Sequence, residues 1–208
     1  MKIDIDDLQA SLMESFEKMR YIKPEDIPNI DLYMDQVTTF LDEGLKSSSR
    51  VTSDEKLVTK TMINNYAKNE VIPPPNKKKY SKDHILLLIF LYYFKSIIQI
   101  NDVKELMSPL VDKFFHSSTD FGMEDVYNEI FGDMKGKITK IEEDVNQKYK
   151  ESMKSFEDAP IGDQDYLRLF SFVCSLGGDV FVKTLLIEKV IDSIKERKES
   201  EKNKYVNE

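Results

Sequence analysis

Amide and lysine side chains concentrate in one short stretch of the chain, residues 59–80. The sequence there is TKTMINNYAKNEVIPPPNKKKY. Asparagine can hydrogen-bond an adenine edge through both of its amide atoms, and lysine neutralises phosphate without reading the base. A stretch that combines the two is typical of a surface that contacts duplex DNA, so residues 59–80 are the candidate site.

The candidate residues have separable roles in DNA recognition. Thr61, Asn64 and Asn65 are the candidates for reading bases, and the lysines would hold the phosphate backbone. Tyr66 and Tyr80 either pack at the base of the site or donate their hydroxyls to phosphate, and the sequence leaves both roles open. The predicted DNA-contacting residues are Lys60, Thr61, Asn64, Asn65, Tyr66, Lys68, Lys77, Lys78, Lys79 and Tyr80.

The charge of the chain is distributed unevenly. The whole chain carries −8, but residues 50–82 contain eight basic and three acidic residues, a local charge of +5, which leaves −13 on the rest. A basic island in an acidic protein is typical of one polyanion-facing surface rather than of an indiscriminate nucleic-acid binder. A solvated basic face without a ligand is the alternative.

The chain lacks the residue patterns of enzymes and metal sites. Its single cysteine, Cys174, excludes an intramolecular disulfide and is expected to be a small core residue. The only histidines, His84 and His116, form no Cys/His cluster for zinc, and each is expected to be hydrogen-bonded internally or to face solvent. We therefore predict no enzymatic activity, no metal and no cofactor.

The composition predicts a mainly helical, soluble protein. At 208 residues with 40% hydrophobic content the chain can bury a core, and glycine and proline are few. The N-terminus lacks a signal-peptide pattern, and the longest apolar run, residues 85–94, is shorter than the about 20 residues that span a bilayer. We expect a cytoplasmic protein without a membrane segment.

Two predicted helices lead into the candidate site. An amphipathic helix over residues 1–20 comes first, and after a connector a second helix runs from about Asp31 to Leu45. The helix with the amide side chains, the recognition helix at about 59–69, follows. Ser53 and Thr59 are both good N-caps, so the sequence leaves two starting points for the helical region there.

A wing and a buried helix complete the site. Pro73–Pro75 end the recognition helix and impose an extended path, after which residues 76–80 form a compact basic wing. Ser81 is a good N-cap for a helix over about 82–98. That helix is apolar nearly all round, so we expect it at the buried centre of a domain or an interface.

The remainder of the chain predicts further helices with several breaks. The expected order is a short helix at 102–107 before Pro109, a long charged helix at 124–156, a break at 158–162, an apolar helix from Asp163, a break at Gly177-Gly178, a last helix to about Lys195 and a frayed tail at 199–208.

Several strings around the site resemble the winged helix-turn-helix of MerR-type transcription regulators. In that family a helix with a threonine, a basic residue and two tyrosines precedes a glycine, two aliphatic residues and a proline. Residues 62–66 keep the second tyrosine, and 71–73 keep the aliphatic pair with its proline. Residues 78–80 are similar to the basic end of the wing, 81–83 to the start of the next helix and 101–107 to the closing short helix.

The chain departs from the MerR-type pattern at three positions. Asn64 and Asn65 stand where the family has an arginine and its first tyrosine, and Glu70 stands where it has a glycine. The wing is also shorter, so base preference and wing geometry do not carry over.

A closer resemblance is to an uncharacterised bacterial family of unknown function, itself placed among MerR-like regulators. Its hallmark strings stand at Ile27–Val37, Leu57–Tyr66 and Ile72–Ser81, and the resemblance covers about residues 21–110.

These resemblances imply a MerR-like winged helix-turn-helix domain at 21–110 with a minimal wing, preceded by the helix at 1–20. An all-helical region at 111–198 would dimerise the protein or receive a signal, ahead of the tail at 199–208. The implied function is transcription regulation, with the recognition helix in the major groove of double-stranded DNA and the wing on phosphates.

The family resemblance also implies a homodimer joined by a helix that follows the DNA-binding unit. The charged helix at 124–156 is one candidate, the final apolar helices are another, and a helix that serves only its own core is the third interpretation. Two other functions stay open, an interaction adaptor that keeps the scaffold without binding DNA, and a helical small-molecule binder using residues 90–94 with Phe114 and Phe115.

Overall fold

The computed structural model describes residues 5–46 and 56–206 and is mainly helical, as the sequence predicts. In chain order its elements are α1 (Ile5–Lys18), a 3-10 helix (Pro24–Asp26), β1 (Leu32–Tyr33), α2 (Met34–Leu45), α3 (Lys60–Lys68), β2 (Lys79–Tyr80), α4 (Lys82–Phe94), α5 (Ile100–Phe114), α6 (Met123–Phe131), α7 (Met134–Ser152) and α8 (Ile161–Val206). Arg50 of the basic island and Ser53, one of the two candidate caps, lie outside the described residues.

The chain forms two compact units, and neither is contiguous in sequence. The first contains the residues up to Met19 together with Asp133–Leu185. The second contains Arg20–Gly132 together with the residues from Leu186 onward. All ten candidate DNA-contacting residues belong to the second unit, whereas the sequence had suggested domain limits at residues 20, 110 and 198.

In the first unit, α7 packs against both α1 and the early part of α8. Gln9 Nε2 on α1 donates a hydrogen bond to Asn146 Oδ1 on α7 at 3.0 Å. Toward α8, the Tyr149 ring meets the Phe172 ring edge-on, with 5.2 Å between their centroids. Helix α7 therefore contacts both neighbouring helices of its own unit.

In the second unit, α4 is the buried centre that its sequence predicts. Eight consecutive residues, His84–Leu91, are buried, because neighbouring elements cover the helix on every side. Phe90 packs against Tyr127 of α6 with 5.5 Å between ring centroids. The buried Tyr127 hydroxyl donates to the Ile22 carbonyl at 2.7 Å, which ties α6 to the connector before β1.

A two-stranded antiparallel sheet links the segment before α2 to the segment before α4. Leu32 pairs with Tyr80 and Tyr33 pairs with Lys79. Strands of two residues carry no alternating pattern, so the sequence predicted a helix from Asp31 where β1 lies.

Helix α5 runs through Pro109, where the sequence predicted only a short helix that ends before the proline. Proline has no N–H, so it cannot donate to the carbonyl of Glu105 one turn earlier. Lys198 Nζ donates to that carbonyl at 2.9 Å and to the Glu105 carboxylate at 3.0 Å. A lysine from α8 thus replaces the missing donor, and α5 continues to Phe114.

The charged segment predicted as one long helix is two helices. Helix α6 ends at Phe131, and α7 begins at Met134 after a new N-cap. The Asp133 side chain accepts a hydrogen bond from the Gly136 N–H at 3.3 Å, which satisfies a donor at the start of α7. The glycines at 132 and 136 therefore mark a helix boundary rather than weak turns inside one helix.

Helix α8 is continuous across Gly177-Gly178, where the sequence predicted a break, and it continues to Val206, into the segment predicted to fray. A glycine inside a helix costs about 1 kcal/mol relative to alanine, which a helix of 46 residues tolerates. Cys174 on this helix is exposed and is not the core residue that we predicted.

Candidate nucleic-acid interface

Helix α3 places the predicted base-reading residues on an open face. The Thr59 hydroxyl oxygen accepts from the Met62 N–H at 3.2 Å, so Thr59 is the N-cap. Ile63 is fully buried, and Met62 and Tyr66 are half-buried beside it. The exposed side chains of α3 are those that the sequence placed outward, namely Lys60, Thr61, Asn64, Asn65 and Lys68.

Two hydrogen bonds fix the segment that leads into α3. The Leu57 N–H donates to Asp42 Oδ1 of α2 at 2.9 Å, and Lys95 Nζ at the end of α4 donates to the Leu57 carbonyl at 3.0 Å. Leu57 and Val58 are themselves buried. Helix α3 is therefore held against α2 and α4 before its first turn begins.

The end of α3 explains one departure from the MerR-type pattern. Glu70 has a φ of 57°, in the left-handed region that favours glycine. The Glu70 N–H donates to the Ala67 carbonyl at 3.2 Å, and the Val71 N–H donates to the Tyr66 carbonyl at 2.8 Å. This is the hydrogen-bond pattern of a Schellman C-cap, with a glutamate at the position that usually carries glycine.

The basic wing is a two-residue turn with a lysine at both central positions. Asn76 and Lys79 exchange backbone hydrogen bonds of 3.0 and 2.9 Å, and Lys77 and Lys78 between them have φ values of 49° and 66°. Positive φ at both central residues is the geometry of a type I′ turn, which favours Asn-Gly. Both lysine side chains are exposed. The strained backbone of the turn therefore coincides with two positive charges that project into solvent.

The remaining wing residues are less accessible. Lys79 is half-buried, and its Nζ lies 5.2 Å from the centroid of the Tyr33 ring. Tyr80 is only 2% exposed and packs edge-on against His84 at 5.4 Å. Of the two roles left open for Tyr80, the structure therefore supports packing at the wing base. Burial raises the pKa of both Tyr66 and Tyr80, so their hydroxyls stay protonated.

Two acidic side chains lie close to the candidate site. Lys60 Nζ forms an ion pair with Asp35 in the first turn of α2. Glu70 pairs with Lys104 of α5 at 3.2 Å. In the described part of the chain, no ion pair engages Lys68, Lys77 or Lys78, so these three charges face solvent unpaired.

Both histidines meet at the start of α4, a cluster that sequence reasoning missed. Ser81 Oγ lies 2.8 Å from His84 Nδ1 and 2.9 Å from His116 Nε2, and the Ser81 N–H donates to His84 Nδ1 at 3.0 Å. Asp83 accepts from the backbone N–H of His116 at 2.8 Å, not from its ring, so this is not a Ser-His-Asp relay. Thirty-five positions separate Ser81 from His116, and no local pattern reveals such a contact.

The aromatic residues considered for a small-molecule site pack against rings of other residues. Phe90 contacts Tyr127, and Tyr93 stacks on Phe131 with 5.4 Å between centroids. Among residues 5–46 and 56–206, no group of three or more acidic, histidine or cysteine side chains could hold a metal ion.

The family model described as domain of unknown function DUF1836 matches residues 5–130 of the chain. The chain belongs to the DUF1836 family. This confirms the expectation of an uncharacterised family, and the DUF1836 region extends from α1 into α6, beyond the 21–110 that the sequence strings covered. No curated protein and no solved structure matches the chain.

Proposed function

We propose that this DUF1836 protein is a cytoplasmic DNA-binding transcription regulator. In the proposed complex α3 lies in the major groove, where Thr61, Asn64 and Asn65 read base edges. Lys60, Lys68 and the wing lysines contact phosphates on either side. The observation that carries the proposal is the exposed polar face of α3 beside a turn that projects Lys77 and Lys78.

The order of elements supports a winged helix-turn-helix interpretation. Helices α2 and α3 are consecutive and in contact, and the wing strand β2 follows α3 directly. The positive φ of Glu70 matches the position at which MerR-type regulators carry glycine, which adds a backbone likeness to the sequence resemblance. Fold likeness alone does not establish function, so the proposal rests on the exposed residues and their charge.

The proposed DNA-contacting surface does not include Tyr80, and Lys79 contributes less to phosphate binding than Lys77 and Lys78 do. Tyr80 is buried, and Lys79 leans over Tyr33. We also propose that two copies bind together, since paired recognition helices would read a two-fold symmetric site.

The test is binding of the full chain to genomic DNA fragments at several salt concentrations. Each phosphate contact contributes about 0.9 to the slope of log affinity against log salt for duplex DNA. Replacing Lys77, Lys78 and Lys79 by alanine should make the slope shallower by about 2.7 per copy if all three contact phosphate, and by about 1.8 if Lys79 does not. Asn64→Ala with Asn65→Ala should instead reduce the preference for specific fragments and leave the slope nearly unchanged.

The absence of binding above background would refute the proposal. In that case the same exposed face would favour the alternative, a protein–protein adaptor built on this scaffold.

A further inference from the structure

The early part of α8 carries a stripe of exposed apolar side chains. The stripe consists of Tyr166, Phe170, Val173, Val180, Phe181 and Leu185, which are each between 49% and 65% exposed. Gly177 lies between Val173 and Val180 on the same side, and no atom lies within 4 Å of the place where a side chain would begin. A contiguous patch of exposed apolar side chains marks an interaction site rather than an ordinary surface.

Helix α7 packs against a different side of α8 from the stripe. Phe172 and Asp179 face α7, where they meet Tyr149 and Lys148. At 100° per residue, these two positions point about 100° to 160° away from Val173 and Gly177. Within the first unit, α7 therefore leaves the stripe open to a partner.

We propose that the stripe pairs with the same stripe of a second copy of this chain. The positions 166, 170, 173, 177 and 180 follow one another in steps of four and three, the 3.5-residue spacing by which one helix packs along another. Gly177 removes a side chain from the middle of the contact and permits a close approach of the two helices.

The exposed area is sufficient for a stable pair. A fully exposed aromatic side chain offers about 200 Å², and the transfer values for valine and leucine correspond to roughly 90 Å² each. With the observed exposures the stripe presents on the order of 500 Å² of apolar surface. At an apolar share of about 65%, this corresponds to about 800 Å² per copy, the size of a standard interface.

A lipid bilayer fits the stripe less well than a second copy does. Within the described residues, α8 over Ile161–Ser200 is long and apolar enough to cross a membrane by length and composition. However, Asp179 lies in this segment, and its hydrogen bond from Lys148 lowers the pKa of the carboxyl, so it stays ionised. Insertion would carry that charge, and the charged helix α7 beside it, into hydrocarbon.

The inference deepens the proposed function by naming the surface that joins two copies, yet it does not require DNA. It also selects α8 among the candidate helices, because α8 exposes six large apolar side chains along the stripe. Pairing is measured without DNA, so its failure would count against paired binding but leave the proposed contacts of α3 and the wing to their own test.

The experiment is sedimentation of the full chain over a wide range of concentrations, with a matched pair of variants. Val173→Glu places a carboxylate on the stripe, and Val182→Glu makes the same change nine residues later, about two and a half turns along and so on the opposite face. Both valines are exposed, and circular dichroism checks that each variant stays folded.

We expect the wild type and Val182→Glu to be dimers, and the dissociation constant of Val173→Glu to rise by at least about 100-fold, because each pair would bury two carboxylates. A monomeric wild type, or Val173→Glu as dimeric as Val182→Glu, would overturn the proposal. So would flotation of the wild-type chain with phosphatidylcholine and phosphatidylglycerol vesicles that Val173→Glu abolishes, since lipid would then be the occupant.

Discussion

Replacing Lys77 and Lys78 at the wing tip by Asn-Gly, the pair that a type I′ turn favours, tests backbone strain and DNA binding at the same two positions. In Lys77→Asn, Lys78→Gly the backbone keeps its type I′ turn, because asparagine and glycine adopt positive φ readily. A side chain with a Cβ in this region costs about 1–2 kcal/mol per residue. The greater freedom of glycine in the unfolded chain offsets about 0.5–1 kcal/mol of the gain.

The variant should therefore be more stable and bind DNA less tightly. The net gain in the free energy of unfolding is about 1 kcal/mol, which raises the midpoint of thermal unfolding by about 2–4 °C for a chain of this size. Loss of two phosphate contacts makes the salt slope shallower by about 1.8 per copy, and lowers the affinity by about 60-fold at 0.1 M salt.

The matched control is Lys77→Ala, Lys78→Ala, which removes the same charges but keeps side chains with a Cβ at positive φ. It should lose the same affinity without the gain in stability, as measured by thermal unfolding and by DNA binding over a salt series. The strain argument is wrong if the two variants melt at the same temperature. The binding argument is wrong if the Asn-Gly variant keeps the affinity and salt slope of the wild type.

Two further predictions concern side chains around the site. Asp35→Asn should strengthen DNA binding by up to about eightfold at 0.1 M salt, because Lys60 no longer has to leave its ion pair with Asp35 to contact phosphate. Asp112→Asn on α5 is the control, and equal affinities for both variants would contradict the role of the ion pair. Burial lowers the pKa of His84, so the folded state binds fewer protons than the unfolded chain. The free energy of unfolding should therefore decrease as the pH falls below about 6.5, the ordinary histidine pKa, toward the lowered pKa of His84 in the folded state. His84→Gln, whose amide oxygen can still accept the Ser81 N–H, should lose much of this acid sensitivity in urea unfolding, whereas an unchanged pH dependence would show that His84 does not cause it.

The site could be predicted from the sequence where local chemistry decides the structure. Thr59 caps α3, Ile63 faces inward, and the amides face outward because of helical spacing and N-cap preference alone. The buried centre at α4 follows from a run of apolar residues too continuous for a surface helix. The type I′ turn could not be predicted in this way, because lysines at both central positions give no turn signal.

The errors occur where a distant residue changes the outcome. Pro109 does not end α5, because Lys198, far along the chain, supplies a donor to the Glu105 carbonyl. Gly177-Gly178 does not break α8, since about three and a half turns of α8 follow it before Ile191, which is buried in the second unit. The pairing of β1 with β2 joins residues about 47 positions apart through strands too short to leave a pattern.

The charge distribution gives the proposed DNA contact an orientation. Outside residues 50–82 the chain carries −13, which repels a phosphate backbone, whereas the lysines of α3 and the wing tip attract it. Salt screens both the repulsion of DNA by the acidic residues and its attraction by the lysines. Raising the salt concentration therefore removes one unfavourable and one favourable contribution to the affinity, and the two changes partly cancel. A basic site on a neutral scaffold would show the full slope of its phosphate contacts. This chain should show a slope shallower than its lysine count implies, and neutralising acidic residues far from α3 should strengthen binding at low salt but not at high salt.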